Sequence, residues 1–320
     1  MSRSLAMSCA AVVLLLVSAG APGAAQTPAA QNPPAAEPPA PLGNDVDDLL
    51  ERVQAAGLES SRNRITVYYN EGHEPKALRL RALVEQAMDF YERELGVREE
   101  LHLAVLLPDA WAALITWGQP YGIPGVAGVP PVAFMPATDD NLAANDALGI
   151  RAGVSPETVR LIEATGLSYE EASRRYVDLV GLHELGHTYT RGFGIRVPSR
   201  WAGEMLATYF AYAHLRAHDP KQAEVWDGIL RGYRDAVRPK HTTLADFDRL
   251  YFGVGAQNYI WYQGRFQEMV RRVYDAHGLD FLRAVRKSFP EGEGPVSPEE
   301  TLRRFEAIFP GFGEWGSAMR

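Results

Sequence analysis

The change of sequence pattern near residue 155 constrains the fold of this 320-residue chain more than any other feature. Before it, a short helix is expected at residues 45–56. The β-branched and aromatic stretches at residues 65–69 and 101–107 predict strands, and residues 79–95 between them have the apolar spacing of a helix. After residue 155, nearly every segment predicts a helix. The sequence therefore predicts an α+β protein with a small mixed sheet towards the N-terminus and a helical C-terminal half.

A third strand is predicted within residues 126–135. Pro130 and Pro131 interrupt this segment, and a proline cannot donate a hydrogen bond to a neighbouring strand. We therefore expect this strand at an edge of the sheet, where an extended peptide can pair with it through main-chain hydrogen bonds. A plain loop rich in proline and glycine is the alternative interpretation.

The first 25 residues have the organisation of a cleavable export signal. Arg3 precedes an apolar run at residues 6–17, and small residues follow it. The run is too short to span a bilayer, so we expect no membrane span after cleavage. Residues 26–43, rich in Ala and Pro, are predicted to be a disordered tether. The sequence thus predicts an exported protein, periplasmic or secreted, with one folded region at residues 44–320.

Charge and cysteine content exclude some classes of partner and bond. The formal net charge is -8, and the chain has no block rich in Lys and Arg, so nucleic acid is not an expected partner. The single cysteine, Cys9, lies in the predicted signal. The mature chain is therefore expected to have no disulfide.

Two helix starts in the C-terminal half carry N-cap signals. Ser155 is followed by Pro156, which favours the first turn of a helix. Ser168 and Glu171 have the spacing of a capping box, and the helix that they start is expected to cover about residues 168–190. Further helices are expected at residues 199–217, 221–237, 257–277 and 298–309.

The predicted helix at about residues 168–190 contains the pattern H-E-x-x-H. His183 and His187 are four residues apart, so they project from one helical face and can share one tetrahedral zinc ion. Glu184 between them can reach a water bound to that metal. An apolar run at residues 176–180 supports a buried helix here; a helix with two incidental histidines is the alternative.

The predicted site lies where two parts of the fold are expected to meet. A sheet lobe at about residues 60–150 and a helical lobe at about residues 199–320 flank the helix that bears the histidines. Clefts between lobes are common places for functional sites. We therefore expect the metal centre at the floor of a cleft.

A catalytic zinc ion needs a third protein ligand. Glu204 lies seventeen residues after His187, beyond a turn and inside a helical run, so a helix-turn-helix can bring it back to the metal. A third histidine six residues after His187 is excluded because Phe193 occupies that position. His214 and His218 are also four residues apart, but they have no Glu between them and lie at an ordinary helix end.

Taken together, these two segments resemble the gluzincin metallopeptidases, the group that includes thermolysin-like enzymes and zinc aminopeptidases. Trp201, Glu204, Ala207 and Tyr209 are spaced in a way that is similar to the aminopeptidase pattern W-x-x-E-G-x-A. The specific part of the resemblance covers residues 180–210, although the general layout extends over most of the folded region.

The resemblance implies a zincin-like, two-lobed fold and a zinc site formed by His183, His187 and Glu204. It also implies that Glu184 takes a proton from the zinc-bound water and delivers it to the leaving amine. Two features depart from the family pattern: the ligand spacing is slightly shorter than usual, and Met205 replaces the common glycine.

Aminopeptidases of this group carry an upstream motif, G-x-M-E-N, that binds the substrate amine. The corresponding residues 125–129 of this chain contain no carboxylate. We therefore expect a metalloendopeptidase that acts on a peptide or protein substrate. Two alternatives stay open: a catalytically silent scaffold of the cell envelope that keeps this fold, and a zinc hydrolase that acts on a non-peptide bond.

Related enzymes use a downstream Tyr or His to stabilise the oxyanion of the reaction. Tyr251 is the favoured candidate because the segment that it starts precedes an apolar helix, although a packed core tyrosine is an equal alternative. Tyr259 and Tyr262 are further candidates, and His241 is a weaker one.

A metal-binding imidazole usually donates its second N–H group to a carboxylate or a carbonyl. Asp178 and Asp246 are the acidic residues considered for this role, although ordinary surface or capping positions are the simpler interpretation of both.

Overall fold

The structure, a computed structural model, describes residues 46–292, 294 and 296–319. The predicted export signal and tether lie outside the described residues. None of the helices in the described part of the chain combines the length and the apolar character that a membrane span requires.

A five-stranded mixed sheet lies in the N-terminal part of the fold. Its order is β1-β2-β3-β5-β4; β2, β3 and β5 run parallel, and each edge strand runs antiparallel to its neighbour. The two strands predicted at residues 65–69 and 101–107 are confirmed as β2 and β3. The strands are β1 (Glu59–Arg62), β2 (Thr66–Tyr69), β3 (His102–Leu106), β4 (Gly125–Ala127) and β5 (Val132–Pro136).

The prediction of one edge strand within residues 126–135 was wrong, because this segment forms two strands. β4 is the edge strand, whereas β5 lies inside the sheet between β3 and β4, with all of its residues buried. Pro130 and Pro131 fall in the connection between the two strands, so no proline is placed where β4 and β5 exchange hydrogen bonds.

Helices make up most of the described chain. Those predicted in the C-terminal half are confirmed as α5, α6, α7, α8, α10 and α12, and α2 begins five residues earlier than predicted. The helices are α1 (Leu49–Ala55), α2 (Glu74–Leu95), α3 (Pro108–Leu114), α4 (Leu142–Gly149), α5 (Pro156–Glu163), α6 (Tyr169–Gly192), α7 (Arg200–His218), α8 (Pro220–Ala236), α9 (Leu244–Leu250), α10 (Ala256–His277), α11 (Asp280–Ser288), α12 (Pro298–Ile308) and α13 (Phe312–Ala318).

The start of α6 has the predicted capping box. The Ser168 hydroxyl accepts a hydrogen bond from the Glu171 backbone N–H at 3.2 Å, and the Glu171 carboxylate accepts the Ser168 backbone N–H at 2.8 Å. Two of the donors that a helix start leaves unpaired are thereby satisfied. The 24 residues of α6 then run without interruption through the two histidines.

Two glycines of α6 allow close packing on opposite sides of the helix. A side chain at Gly181 would lie 2.5 Å from the Met135 methyl group of β5, and one at Gly186 would lie 2.4 Å from the Ala207 carbonyl oxygen of α7. Both distances are shorter than a van der Waals contact; at Gly186 the neighbour is backbone, so only glycine fits there, whereas the Met135 methyl group is the end of a flexible side chain that can shift. Helix α6 is therefore held tightly between the sheet and α7, and buried apolar side chains of both parts form one continuous core.

Candidate metal centre

Three electron-pair donors from two helices converge at the centre of the fold. His183 and His187 project from one face of α6, with their rings 4.9 Å apart and perpendicular. The Glu204 carboxylate of α7 places its Oε2 atom 3.2 Å from His183 Nε2 and 3.7 Å from His187 Nε2. A tetrahedral zinc ion with bonds of about 2.0–2.1 Å separates its ligand atoms by about 3.3–3.4 Å. The distances from Glu204 to the two histidines, the second slightly longer than this value, are therefore close to those of such a site.

Glu184 belongs to the same cluster. The ligand atoms of His183, Glu184 and His187 all lie within 4.8 Å of one another, and this group can hold a metal ion. Burial raises the pKa of Glu184 to about 7; His183 opposes this rise, and the negative charge of Glu204 adds to it. A carboxyl group with this pKa can both accept and release a proton near neutral pH.

The Glu204 carboxylate is buried, with 3% of its surface exposed, and is surrounded by neutral donors. The Tyr251 hydroxyl donates to Oε1 at 2.5 Å; the Tyr259 hydroxyl and the Gln263 amide donate to Oε2 at 2.8 and 2.9 Å. Among the described residues, its ion-pair partners within 4 Å are the two histidines and no Lys or Arg.

Buried negative charge at Glu204 needs a positive partner. Burial alone would raise the pKa of this carboxyl, but the charges and hydrogen bonds of His187 and His183 outweigh burial and hold its pKa well below the usual range. A buried carboxylate is stable only when it is paired with a cation or a metal. The donor set is therefore suited to hold one.

A chain of hydrogen bonds runs from His183 through Thr208 to Gln263. The Thr208 hydroxyl lies 3.0 Å from His183 Nδ1 and donates to Gln263 Oε1 at 3.4 Å, an arrangement that favours a proton on Nδ1. The His183 Nε2 atom lies 3.2 Å from a Glu204 oxygen. A neutral His183 with its proton on Nδ1 can bind a metal through Nε2, whereas a protonated His183 pairs with Glu204 as a cation.

Tyr251 is held next to Glu204 by an unusual backbone conformation. Its φ angle of 49° is the only positive value at a non-glycine residue in the described part of the chain. Such a conformation is strained for a bulky side chain and persists only when surrounding contacts enforce it. Its hydroxyl donates to Glu204, and the Arg200 guanidinium carbon lies 4.8 Å from the centre of its ring.

The sequence-based candidates for an oxyanion donor have different positions. Tyr251 and Tyr259 lie at the site, and each hydroxyl donates a hydrogen bond to Glu204. Because these hydroxyls contact Glu204, their role as donors to an oxyanion stays a prediction. Tyr262 points away and donates to the Thr243 carbonyl at 2.8 Å. His241 lies outside the cluster, with Nδ1 3.9 Å from an Asp246 oxygen.

Thr208, rather than Asp178 or Asp246, lies next to His183 Nδ1, and the contacts of both acidic residues agree with the simpler interpretation of ordinary surface or capping positions. Asp178 instead lies 3.8 Å from Lys76, and Asp246 accepts a hydrogen bond from Arg249 at 2.7 Å. The reason is helical geometry: a residue five positions before His183 projects about 140° away from it around the helix.

His214 and His218 lie near the C-terminal end of α7, in a second cluster of rings. Their rings stack with centres 4.8 Å apart, and both contact Phe90 of α2. His214 is 1% exposed. His214 therefore packs in the core, and His218 is half-buried beside it.

No family model, curated protein or solved structure matches this chain. The chemistry of the site is therefore inferred from its own residues.

Sequence reasoning did not assign any role to Thr208 or Gln263. Thr208 could have been identified from the sequence, because it follows Glu204 by four residues and so lies on the same face of α7. Gln263 follows Tyr259 by four residues on α10 in the same way. Its approach to Glu204, however, depends on how α10 packs against α7, which no local pattern indicates.

Proposed function

We propose that this chain is a zinc-dependent hydrolase, and that it is a metalloendopeptidase with a zincin-like fold of the gluzincin type. One observation carries the proposal. Glu204 comes from a different helix than His183 and His187, yet its carboxylate reaches both Nε2 atoms at the spacing of a tetrahedral metal site. An H-E-x-x-H sequence does not by itself require a buried carboxylate from another helix beside both histidines.

The donor set favours zinc over the alternatives. Two imidazole nitrogens with one carboxylate oxygen suit zinc, whereas magnesium and calcium prefer oxygen ligands alone. Three protein ligands leave a fourth position open, as catalytic zinc sites require. A bound zinc ion would supply a Lewis acid for the scissile carbonyl and would lower the pKa of a bound water.

The protein groups around the metal have separable roles in this proposal. Glu184, whose pKa lies near 7, accepts the proton of the attacking water and passes it to the leaving amine. Thr208 keeps His183 in the tautomer that offers Nε2 as a ligand. Tyr251, Tyr259 and Gln263 hold the Glu204 carboxylate in place.

The sheet edge supports endopeptidase rather than aminopeptidase activity. Strand β4 packs on α6, and its outer edge has no partner strand among the described residues. An extended peptide can add to such an edge along its whole length. The strand and the two residues after it contain no carboxylate that could bind a substrate amine and so fix the chain terminus at the metal.

We also infer that the protein acts outside the cytoplasm, after removal of residues 1–25, with residues 26–43 as a tether. The support for this inference is the sequence pattern of the N-terminus alone.

The function is tested with purified mature protein, zinc analysis and a mixed peptide library. We expect about one zinc ion per chain. We also expect peptide cleavage, detected by mass spectrometry, and we expect Glu184→Gln to lose this cleavage. Zinc binding without any Glu184-dependent cleavage would point to the scaffold alternative. Glu184-dependent hydrolysis of ester or amide probes but of no peptide would point to the non-peptide hydrolase.

A further inference from the structure

Arg200 is a cation near the candidate metal centre that the proposed mechanism does not use. It is the first residue of α7 and precedes Glu204 by four residues, so both lie on one face of the helix, about 6 Å apart along the axis. Its guanidinium carbon lies 4.8 Å from the centre of the Tyr251 ring, and the Tyr251 hydroxyl contacts Glu204 at 2.5 Å. Arg200 is thus linked to the metal ligand through one aromatic ring.

The guanidinium of Arg200 forms no salt bridge with a carboxylate among the described residues. Its side chain is exposed, and among the described residues no carboxylate oxygen lies within 4 Å of the guanidinium. Burial raises the pKa of Asp248, while the backbone N–H groups of Trp201, at 3.0 Å, and of Arg200 and the charge of the Arg200 side chain oppose this rise, so Asp248 offsets part of that charge without a direct contact. Neighbouring Arg249, by contrast, donates to Asp246 at 2.7 Å.

The contact with Tyr251 holds Arg200 in position without using its donors. A guanidinium over an aromatic ring is attracted by the negative face of the ring, and this contact consumes no N–H group. Holding the side chain in one place beforehand also lowers the entropy that a ligand must overcome. The group that matches the fork of N–H donors of an arginine is a carboxylate, through two parallel hydrogen bonds.

We propose that Arg200 is the specificity-determining residue of the site and binds a carboxylate of the substrate close to the scissile bond. The substrates are then peptides with a carboxylate on one side of that bond, either a Glu or Asp side chain or a free C-terminus. A Lys or Arg side chain at the same place is disfavoured by like charge. This inference rests on the proposed function, because it assigns the substrate class of that same site.

Matched peptide pairs test this assignment and separate the two sources of carboxylate. One set of internally quenched peptides has amidated C-termini and carries Glu or Gln at one position at a time around the cleaved bond. A second set has no acidic side chain and ends in a free carboxylate or an amide at increasing distance from that bond. We expect wild-type kcat/KM to be about tenfold higher for the acidic member in at least one set.

The Arg200 variants then identify the residue responsible. In Arg200→Gln, the ratio of kcat/KM between the acidic and the neutral peptide should fall towards one, mainly through KM. Arg200→Lys should retain part of this ratio, because lysine keeps the charge but lacks the fork of N–H donors. Arg160→Gln on α5 is the matched control; it removes the same charge at another exposed position and should keep the wild-type ratio. Equal rates within every wild-type pair, or an unchanged ratio in Arg200→Gln, would overturn the proposal.

A binding measurement keeps this result distinct from the proposed function. Fluorescence anisotropy of labelled peptide pairs, with zinc-loaded Glu184→Gln protein, requires no turnover. If wild-type protein cleaves no peptide, the proposed function fails. The carboxylate site still stands if the acidic peptide binds more tightly and Arg200→Gln, introduced into this protein, abolishes the difference; it fails if the paired peptides bind equally.

Discussion

Gly186 of α6 lies directly against the backbone of Ala207 on α7, with no room for a side chain between the two helices. A Cβ atom at Gly186 would approach the Ala207 carbonyl oxygen to 2.4 Å, and backbone atoms cannot rotate away as a flexible side chain can. Since Ala207 follows Glu204 by three residues, any shift of α7 also moves a proposed metal ligand.

We therefore expect Gly186→Ala to lower zinc affinity by at least about tenfold and to reduce the free energy of unfolding by about 1–3 kcal/mol through overpacking. Competition with a chromophoric chelator and urea unfolding measure the two effects. Gly203→Ala is the control, because a Cβ there meets no atom within 4 Å. It should keep zinc affinity and stabilise the fold by about 0.5–1 kcal/mol. Wild-type zinc affinity in Gly186→Ala would show that the helix contact does not set the site.

The hydrogen bond from His183 to Thr208 should be measurable as metal affinity. Thr208→Val keeps the shape of the side chain but removes the acceptor for His183 Nδ1, so we expect zinc affinity to fall by about 10–100-fold. Thr208→Ser restores a hydroxyl at the same place and should recover most of the loss. Equal affinities in the Val and Ser variants would contradict the role of the hydroxyl.

Replacement of Glu184 is expected to affect hydrolysis, whereas replacement of Glu204 is expected to affect zinc binding. Glu184→Gln should retain zinc while hydrolysis falls by about 10²–10⁴-fold, since a general base is lost. Glu204→Ala should lose zinc, because two imidazoles alone remain. Zinc content by mass spectrometry and cleavage rates distinguish the two variants. Full zinc occupancy in Glu204→Ala would disprove its assignment as a ligand.

Tyr251→Phe distinguishes two roles of the Tyr251 hydroxyl: holding the Glu204 carboxylate in place, and donating a hydrogen bond to the oxyanion of the reaction. The hydroxyl contacts the Glu204 carboxylate at 2.5 Å, so its removal should lower zinc affinity by about tenfold, a size expected for a hydrogen bond to a charged group. If anchoring is its whole role, kcat at saturating zinc stays near the wild-type value. A large loss of kcat at full zinc occupancy would support the oxyanion role that the sequence predicts.

His214 should make the protein sensitive to acid. Burial, with a smaller contribution from the charge of His218, lowers the pKa of His214 to about 3, and Nδ1 has no hydrogen-bond partner among the described residues. The unfolded state therefore takes up a proton at higher pH than the folded state does. The stabilisation is complete above about pH 6.5 and is lost as the pH falls towards 3, by up to about 1.4 kcal/mol per pH unit.

Urea unfolding between pH 4 and 8 tests this dependence with His214→Leu. The leucine variant should show a shallower fall of the free energy of unfolding below pH 6.5, because it removes the group that must be protonated. A slope identical to that of the wild-type protein would assign the acid sensitivity to other residues.

Local signals in the sequence predicted those parts of the site that depend on one helix. The capping box at Ser168 and the spacing of His183 and His187 are both properties of α6, and they are seen where expected. The approach of Glu204 also followed, because a short turn between two helices leaves few ways to pack them. The prediction of zinc itself is still to be tested.

Other parts of the fold depend on contacts that local patterns do not encode. The helices that were not predicted, such as α9 and α13, have only seven residues and are stabilised by packing rather than by their own propensity. The place of β5 inside the sheet follows from pairing with β3, not from its own residues. Gln263 reaches Glu204 across 59 positions of sequence, and no spacing rule covers that distance.

The groups that hold Glu204 all lie later in the chain than Glu204 itself. This order affects when the proposed metal site is completed during folding. Tyr259 and Gln263 are placed only when α10 has packed on α7, and Tyr251 lies between α9 and α10, so the carboxylate is not secured until this later part of the chain is in position. If the chain is exported unfolded and binds zinc, as proposed, it would acquire the ion only after export. We therefore expect zinc uptake to coincide with the last step of folding, and zinc ions in the cytoplasm would have no completed site to enter.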